Sequence, residues 1–96
     1  MTIEKIINEN ELTIALKGRL DTITTPQLET ELKENLGGVK KLRFDFAELD
    51  YISSAGLRVL LSAHKRMKGA MKLTGVSELV MEVFEMTGFA DLWVIA

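Results

Sequence analysis

The hydrophobic period of the chain changes across residues 50–58, Asp-Tyr-Ile-Ser-Ser-Ala-Gly-Leu-Arg. Before this stretch, residues 41–46 alternate polar and apolar side chains, which predicts a β-strand. After it, residues 56–67 have the apolar spacing of an α-helix. The predicted inward face of that helix consists of Gly56, Leu57, Val59, Leu60, Ala63 and Met67. A strand followed closely by a helix indicates an α/β fold, with Ser53 and Ser54 where the helix begins.

A hairpin and a first helix are predicted before this strand–helix pair. Residues 3–7 and 12–16 have the pattern of two strands, and a turn-forming stretch joins them. Thr25 followed by Pro26 is typical of a helix start, with threonine as the cap and proline in the first helical position. Glycines 37–38 are expected to end the helix. Its narrow apolar stripe consists of Leu28, Leu32 and Leu36.

One more strand–helix–strand unit is predicted after the central helix. Residues 70–74 and 92–95 are short apolar stretches with the length of strands, and Ser77 is the predicted cap of the helix between them. The predicted inward face of this helix consists of Leu79, Val80, Val83 and Phe84. Met81 and Trp93 are expected to lie outside the core. The element order is therefore β-β-α-β-α-β-α-β, which indicates a mixed, mostly parallel sheet with helices packed on it.

Composition limits both the domain count and the class of partner. The 96 residues, 47% of them apolar, predict one domain covering residues 1–96. The net charge of −2 argues against a broad nucleic-acid-binding surface, and the absence of cysteine excludes disulfides and thiol chemistry. No signal peptide and no membrane-spanning stretch are recognisable, so a cytoplasmic protein is expected.

The sequence gives little support to an enzyme. The single histidine, His64, lies ten positions after Ser54 on the same predicted helix, about 15 Å away and beyond the reach of a hydrogen bond. His64 is expected to be a packed, hydrogen-bonded core histidine. Residues 45–50 contain acids but lack the spacing of a calcium loop, and no glycine-rich phosphate loop is present. We therefore predict no catalytic residue, no cofactor and no metal.

Two functions remain open for the serines at the start of the central helix. A helix N-terminus has unpaired N–H donors and a partial positive charge, so it stabilises a hydroxyl cap or an anion. Ser53 or Ser54 can therefore cap the helix, receive a phosphoryl group, or do both. The residues of the loop alone do not decide between a structural cap and a modification site.

Three stretches of the sequence together resemble the STAS domain family, which includes the bacterial anti-sigma factor antagonists. The strand and loop at residues 45–57 are similar to the family's signature. Residues 18–21, Gly-Arg-Leu-Asp, resemble its Gly-x-Leu-Asp stretch, and residues 83–89 resemble the end of its third helix. The resemblance extends over nearly the whole chain and implies a non-catalytic switch protein.

In that family an antagonist binds an anti-sigma factor, often a serine kinase, and so frees a sigma factor for transcription. The kinase phosphorylates a serine of the antagonist, which releases it, and a phosphatase resets the switch. Counted back from Gly56, the phosphorylated serine falls on Ser54, with Ser53 as the second candidate. We predict that the partner-binding surface includes Asp21, Ser53, Gly56 and Arg58.

The sequence departs from the family at two positions beside the candidate serine. Ser53 replaces an aspartate, and Ala55 replaces a serine or threonine. Arg58 also stands where the best-known antagonists have a small residue, and at i+4 from Ser54 it can pair with a phosphate. An alternative function therefore stays open: an interaction or scaffold domain that is not phosphorylated, in which the serines only cap the helix.

Overall fold

The computed structural model describes residues 1–96 and contains the predicted elements in the predicted order. They are β1 (Thr2–Asn8), β2 (Glu11–Leu20), α1 (Thr25–Asn35), β3 (Lys41–Ile52), α2 (Ser54–Arg66), β4 (Met71–Thr74), α3 (Glu78–Thr87) and β5 (Val94–Ile95). A short 3₁₀ turn, Phe89–Asp91, precedes β5. The element order predicted from the hydrophobic periods is therefore confirmed.

The five strands form one sheet in the order β1-β2-β3-β4-β5. The hairpin strands β1 and β2 are antiparallel, and every later neighbour is parallel. This confirms the mixed, mostly parallel sheet. Strands β2 and β3 are longer than predicted, because two register shifts, between Ala15 and Lys17 and between Gly18 and Arg19, let their pairing continue to Leu20 and Ile52.

The helices cover one face of the sheet. Along β2 and β3, alternate apolar residues are buried while their neighbours are half-buried or exposed. Each strand–helix–strand unit also moves the chain one position in the same direction across the sheet, which places successive right-handed crossovers on one side. All the residues predicted for the inward faces of α1 and α2 are buried.

The predicted orientation of α3 is wrong in part. Val80 and Phe84 are buried, but Leu79 is 53% exposed, whereas Met81 packs against the core. Trp93 is buried rather than exposed, with its ring stacked on that of Phe89 at 5.2 Å. The reason is that α3 packs against both β3 and the turn that follows it, so the period within α3 alone does not determine its buried face.

The start of α1 differs by one residue from the prediction. Thr24 occupies the cap position, and Thr25 and Pro26 are the first two helical residues. The Thr24 side chain makes no capping bond to the helix, because its hydroxyl accepts from the Asp21 amide and donates to the Arg19 carbonyl. The helix end is also earlier, at Asn35, with Leu36 as its C-cap. The loop before α1 is therefore held in place by hydrogen bonds of Asp21 and Thr24.

Candidate functional site

The two serines at the start of α2 have different environments. Ser53 has extended backbone angles and is the N-cap, and its hydroxyl accepts a long hydrogen bond of 3.5 Å from the Gly56 amide. Ser54 is the first helical residue and is exposed. Its hydroxyl makes none of the side-chain hydrogen bonds that hold this corner of the domain. The structure therefore gives the cap to Ser53 and leaves the Ser54 hydroxyl facing solvent.

The start of α2 is fixed directly to the end of β2. The Ser53 amide donates a hydrogen bond of 2.9 Å to the Leu20 carbonyl, which extends the parallel pairing of Leu20 with Ile52. At Gly56, a Cβ atom would lie 2.8 Å from Cγ1 of Ile52 and 2.9 Å from Cγ of Leu20. Only a residue without a side chain fits this approach, so Gly56 positions the helix rather than contacting solvent.

Asp21 organises the loop that follows β2. Its carboxylate oxygen Oδ1 accepts hydrogen bonds from the amides of Ile23 (3.0 Å) and Thr24 (3.1 Å), and Arg19 lies 3.6 Å from Oδ2. The hydrogen bond from the Thr24 amide, with these other contacts, lowers the pKa of Asp21 below its ordinary value. Asp21 follows Leu20 and so lies next to the start of α2; we call the Asp21 loop together with Ser53 and Ser54 the serine corner. The Asp21 side chain is used to hold the loop in its shape.

Two residues of this corner were not singled out from the sequence. Ile23 is 87% exposed at the tip of the Asp21 loop, and Tyr51 carries the Arg19 guanidinium over its ring at 4.2 Å. An isoleucine in a threonine-rich loop, outside any periodic apolar pattern, is the only sequence signal that identifies Ile23. The exposed isoleucine gives the Asp21 loop an apolar contact point.

Arg58 lies one turn after Ser54 and is exposed. It lines a groove between α1 and α2 with a volume of about 740 Å³, which we call the α1–α2 groove. Its lining residues are Thr25, Pro26, Glu29, Thr30, Leu32, Lys33, Leu36, Ala55, Arg58, Val59, Ser62, Ala63 and Arg66. Ala55, the neighbour of Ser54, forms part of the same lining, so the serine corner lies at one end of this groove.

The remaining candidate chemistry is not supported. No cluster of three or more histidine, cysteine, aspartate or glutamate side chains is arranged to hold a metal ion. His64 is packed as expected, with its ring 6.3 Å from that of Trp93, but its Nδ1 atom is buried without a hydrogen-bond partner. The prediction that His64 is hydrogen-bonded is therefore not met at that atom.

None of the helices has the length and apolar character needed to span a membrane.

Comparison with known proteins shows the family and the fold. The STAS domain model matches residues 2–95, so the chain belongs to the STAS domain family. It is 36% identical over 100 residues to a putative anti-sigma factor antagonist, BtrV, of Bordetella bronchiseptica, covering 100% of this chain and 84% of that protein. It is 30% identical over 88 residues to the anti-sigma-B factor antagonist of Bacillus subtilis, covering 88% and 81% of the two chains.

Solved structures show the same fold at lower identity. The anti-sigma factor antagonist SpoIIAA in its unphosphorylated form has a TM-score of 0.84 and 19% identity, covering 99% of this chain and 88% of that one. A putative anti-sigma factor antagonist from Thermotoga maritima has a TM-score of 0.88 and 15% identity, covering 97% and 84%. The family and the fold class predicted from the sequence are thus confirmed.

Proposed function

We propose that this protein is an anti-sigma factor antagonist whose binding to its anti-sigma factor is switched off by phosphorylation of Ser54. One observation carries the proposal: Ser53 caps α2, while the neighbouring Ser54 hydroxyl is exposed at the same helix N-terminus. A serine needed for capping loses that bond when it is modified. Ser54 instead accepts a phosphate without giving up any hydrogen bond that holds the fold.

The relatives support the class of partner. Two curated relatives with identities of 36% and 30% are described as anti-sigma factor antagonists, and each is covered over more than four-fifths of its length. By this likeness the partner is an anti-sigma factor. A serine-kinase type of anti-sigma factor and a cognate phosphatase would supply the two directions of the switch, and the antagonist itself would act by binding and not by catalysis.

The electrostatics at the start of α2 allow the folded domain to carry a phosphate on Ser54. A phosphate on Ser54 adds about −1.5 to −2 charges at pH 7 at the positive end of the helix. Arg58, one turn further on, lies within reach of that phosphate because residues four apart face the same side of a helix. The modification is therefore expected to leave the domain folded and to change only its binding to the partner.

The candidate partner-binding residues divide into contacts and supports. Ile23, Ser54 and Arg58 are exposed and are proposed to touch the partner. Asp21 shapes the loop that presents Ile23, and Gly56 brings α2 against the sheet. Ser53 supports the surface through its cap. A partner that fits a neutral hydroxyl at Ser54 meets a dianion after phosphorylation, and such a juxtaposition at an interface costs several kcal/mol.

Isothermal titration of the purified serine-kinase-type anti-sigma factor of the same organism tests the proposal. Ser54→Asp is expected to fold normally and to bind at least about tenfold more weakly, which corresponds to about 1.4 kcal/mol. Ser54→Ala is expected to retain its affinity, as is the matched control Ser53→Ala. Mass spectrometry after incubation with the factor and ATP should place one phosphate on Ser54, which a purified phosphatase of the same organism should remove.

The alternative function predicts a different result from the same titration. In an interaction or scaffold domain without phosphorylation, Ser54→Asp binds as tightly as the parent chain and no phosphate appears on Ser54. Equal affinities together with an unmodified Ser54 would therefore reject the switch and leave the scaffold function in place. The replacement of the family aspartate by Ser53 is the feature that makes this comparison necessary.

A further inference from the structure

The α1–α2 groove has a positive lining in a protein whose net charge is −2. Lys33, Arg58 and Arg66 line it together with a single carboxylate, Glu29, which gives the groove a net charge of +2. All four of the ion pairs in the structure lie outside this lining, so the three cations are not neutralised by salt bridges within the chain. The groove is therefore a site of uncompensated positive potential.

The floor of the groove is formed by apolar core residues. Four of its lining residues belong to the core yet keep between 3% and 8% of their surface exposed; these are Leu32, Leu36, Val59 and Ala63. The groove extends over eleven residue steps on each helix, from Thr25 to Leu36 and from Ala55 to Arg66, or about 16 Å at 1.5 Å per residue. An apolar floor of that length with a charged rim has the form of a helix-binding groove.

We infer that the α1–α2 groove receives an acidic amphipathic helix of about three turns from the anti-sigma factor, an inference that rests on the proposed function for the identity of the partner. Leucine-like side chains of that helix lie on the floor, and its carboxylates face Arg58 at one end and Lys33 and Arg66 at the other. Charge complementarity selects this occupant, because a basic or neutral helix leaves the three cations without counter-charges.

The position of Ser54 connects this groove to the switch. A phosphate on Ser54 brings about −1.5 to −2 charges to the end of the groove where Ala55 and Arg58 lie. That charge is close in size to the net +2 of the lining. Phosphorylation therefore cancels the attraction for an acidic helix across the groove, in addition to meeting the partner directly at the serine.

A model peptide tests the groove without the anti-sigma factor. The probe is a 14-residue capped amphipathic peptide with leucine on one face and glutamate elsewhere, added to ¹⁵N-labelled protein. Amide shifts confined to α1, α2 and the residues beside them are expected at low salt, and a peptide with lysine in place of glutamate is expected to give none. No shifts with the glutamate peptide, shifts on another surface, or equal shifts with both peptides would overturn the inference.

Charge-reversal variants test it with the anti-sigma factor itself. Lys33→Glu with Arg66→Glu is expected to weaken binding at least about tenfold and to reduce its dependence on salt. Lys41→Glu with Lys72→Glu makes the same change in net charge on exposed strand residues outside the groove, and is expected to change affinity less than about threefold. If the groove variant fails to fold by circular dichroism, Lys33→Gln with Arg66→Gln replaces it, with a smaller expected loss.

The two proposals fail in different ways. If the parent chain does not bind the anti-sigma factor, the proposed function is wrong, and the peptide titration still decides the groove. If the parent binds, Ser54→Asp weakens binding and the groove variants bind like the parent, the switch stands and the acidic helix is rejected. Equal losses for the groove and control variants would also reject it, because the effect would then be one of net charge alone.

Discussion

The amide nitrogen of Ser53 lies 2.9 Å from the carbonyl oxygen of Leu20, to which it donates a hydrogen bond. This bond is made at the carboxyl ends of two parallel strands, β2 and β3, where loops of α/β sheets gather into binding surfaces. It makes the Asp21 loop and the start of α2 one structural unit. A substitution in either loop is therefore expected to affect the presentation of Ser54.

Gly56→Ala is expected to destabilise the domain by about 1–3 kcal/mol through overpacking. The new methyl group would lie 2.8 Å from Cγ1 of Ile52 and 2.9 Å from Cγ of Leu20, two buried side chains. This loss exceeds the gain of up to about 1 kcal/mol that alanine brings to a helix interior. Denaturant unfolding measures the difference. Gly37→Ala is the control, since a Cβ there meets nothing within 4 Å, and it should be neutral or slightly stabilising.

The two serine caps are expected to differ in strength. Ser77 accepts from the Val80 amide at 3.2 Å, whereas Ser53 accepts from the Gly56 amide at 3.5 Å, near the limit for a hydrogen bond. Ser77→Ala should therefore cost about 1 kcal/mol and Ser53→Ala about 0.5 kcal/mol or less. Thermal unfolding of the two single variants compares them. A larger loss at Ser53 than at Ser77 would contradict the assignment of Ser53 as a weak cap.

Asp21→Asn is expected to remove a pH-dependent part of the stability. Because hydrogen bonding lowers the pKa of Asp21 in the folded state, the ionised carboxylate stabilises the fold above its unfolded pKa of about 3.9. That contribution is lost as the pH falls through the lower folded pKa. The free energy of unfolding of the parent should therefore exceed that of the variant at pH 6–7, with the gap closing as the pH falls below the unfolded pKa of about 3.9.

Urea unfolding of the parent and Asp21→Asn at a series of pH values measures that gap. A gap of constant size across this range would mean that the carboxylate charge contributes nothing to the loop. Because the sequence analysis places Asp21 in the partner-binding surface, Asp21→Ala is expected to weaken partner binding. Since the side chain holds the amides of Ile23 and Thr24, we now expect both melting temperature and partner binding to decrease.

Leu60→Ala is expected to reduce the free energy of unfolding by about 2–5 kcal/mol. Leu60 is fully buried on the inward face of α2, so its truncation removes apolar contacts and leaves a cavity. Such a loss is a large part of the about 5–15 kcal/mol typical of a domain. Leu79→Ala, at a leucine that is 53% exposed, is the control and should change stability by less than about 0.5 kcal/mol. Similar midpoints for both variants would mean that the core face of α2 is misplaced.

The fold was predictable where the hydrophobic period was regular and neighbours did not compete. The buried faces of α1 and α2 followed from spacing alone, because each helix has one face in the core and the opposite face mainly in solvent. The buried face of α3 did not follow from spacing, because α3 packs against both β3 and the turn that buries Trp93. The length of β3 was underestimated because Ala47 and Glu48 interrupt the alternation, and extra residues in β3 at two register shifts let its pairing with β2 continue past them.

The candidate site was predictable in its position but only partly in its roles. The strand-to-helix change indicated the start of α2, and the resemblance to the STAS family, counted back from Gly56, implied Ser54 as the candidate residue. The division between a capping Ser53 and an exposed Ser54 needs backbone angles, which two adjacent serines do not reveal. Likewise, the groove beside Arg58 depends on the distance between two helices that are far apart in sequence.

The exposed Ser54 hydroxyl belongs to the first residue of a formed helix, and under the proposed switch this determines what a kinase must recognise. Ser54 presents its side chain from a rigid corner whose neighbours come from the end of β2 as well as from α2. An isolated peptide of residues 48–62 lacks the Leu20 carbonyl and the Asp21 loop, so we expect it to be a poor substrate. If Ser54 is phosphorylated as proposed, the kinase recognises the folded surface, and unfolding of the domain would remove the protein from the switch.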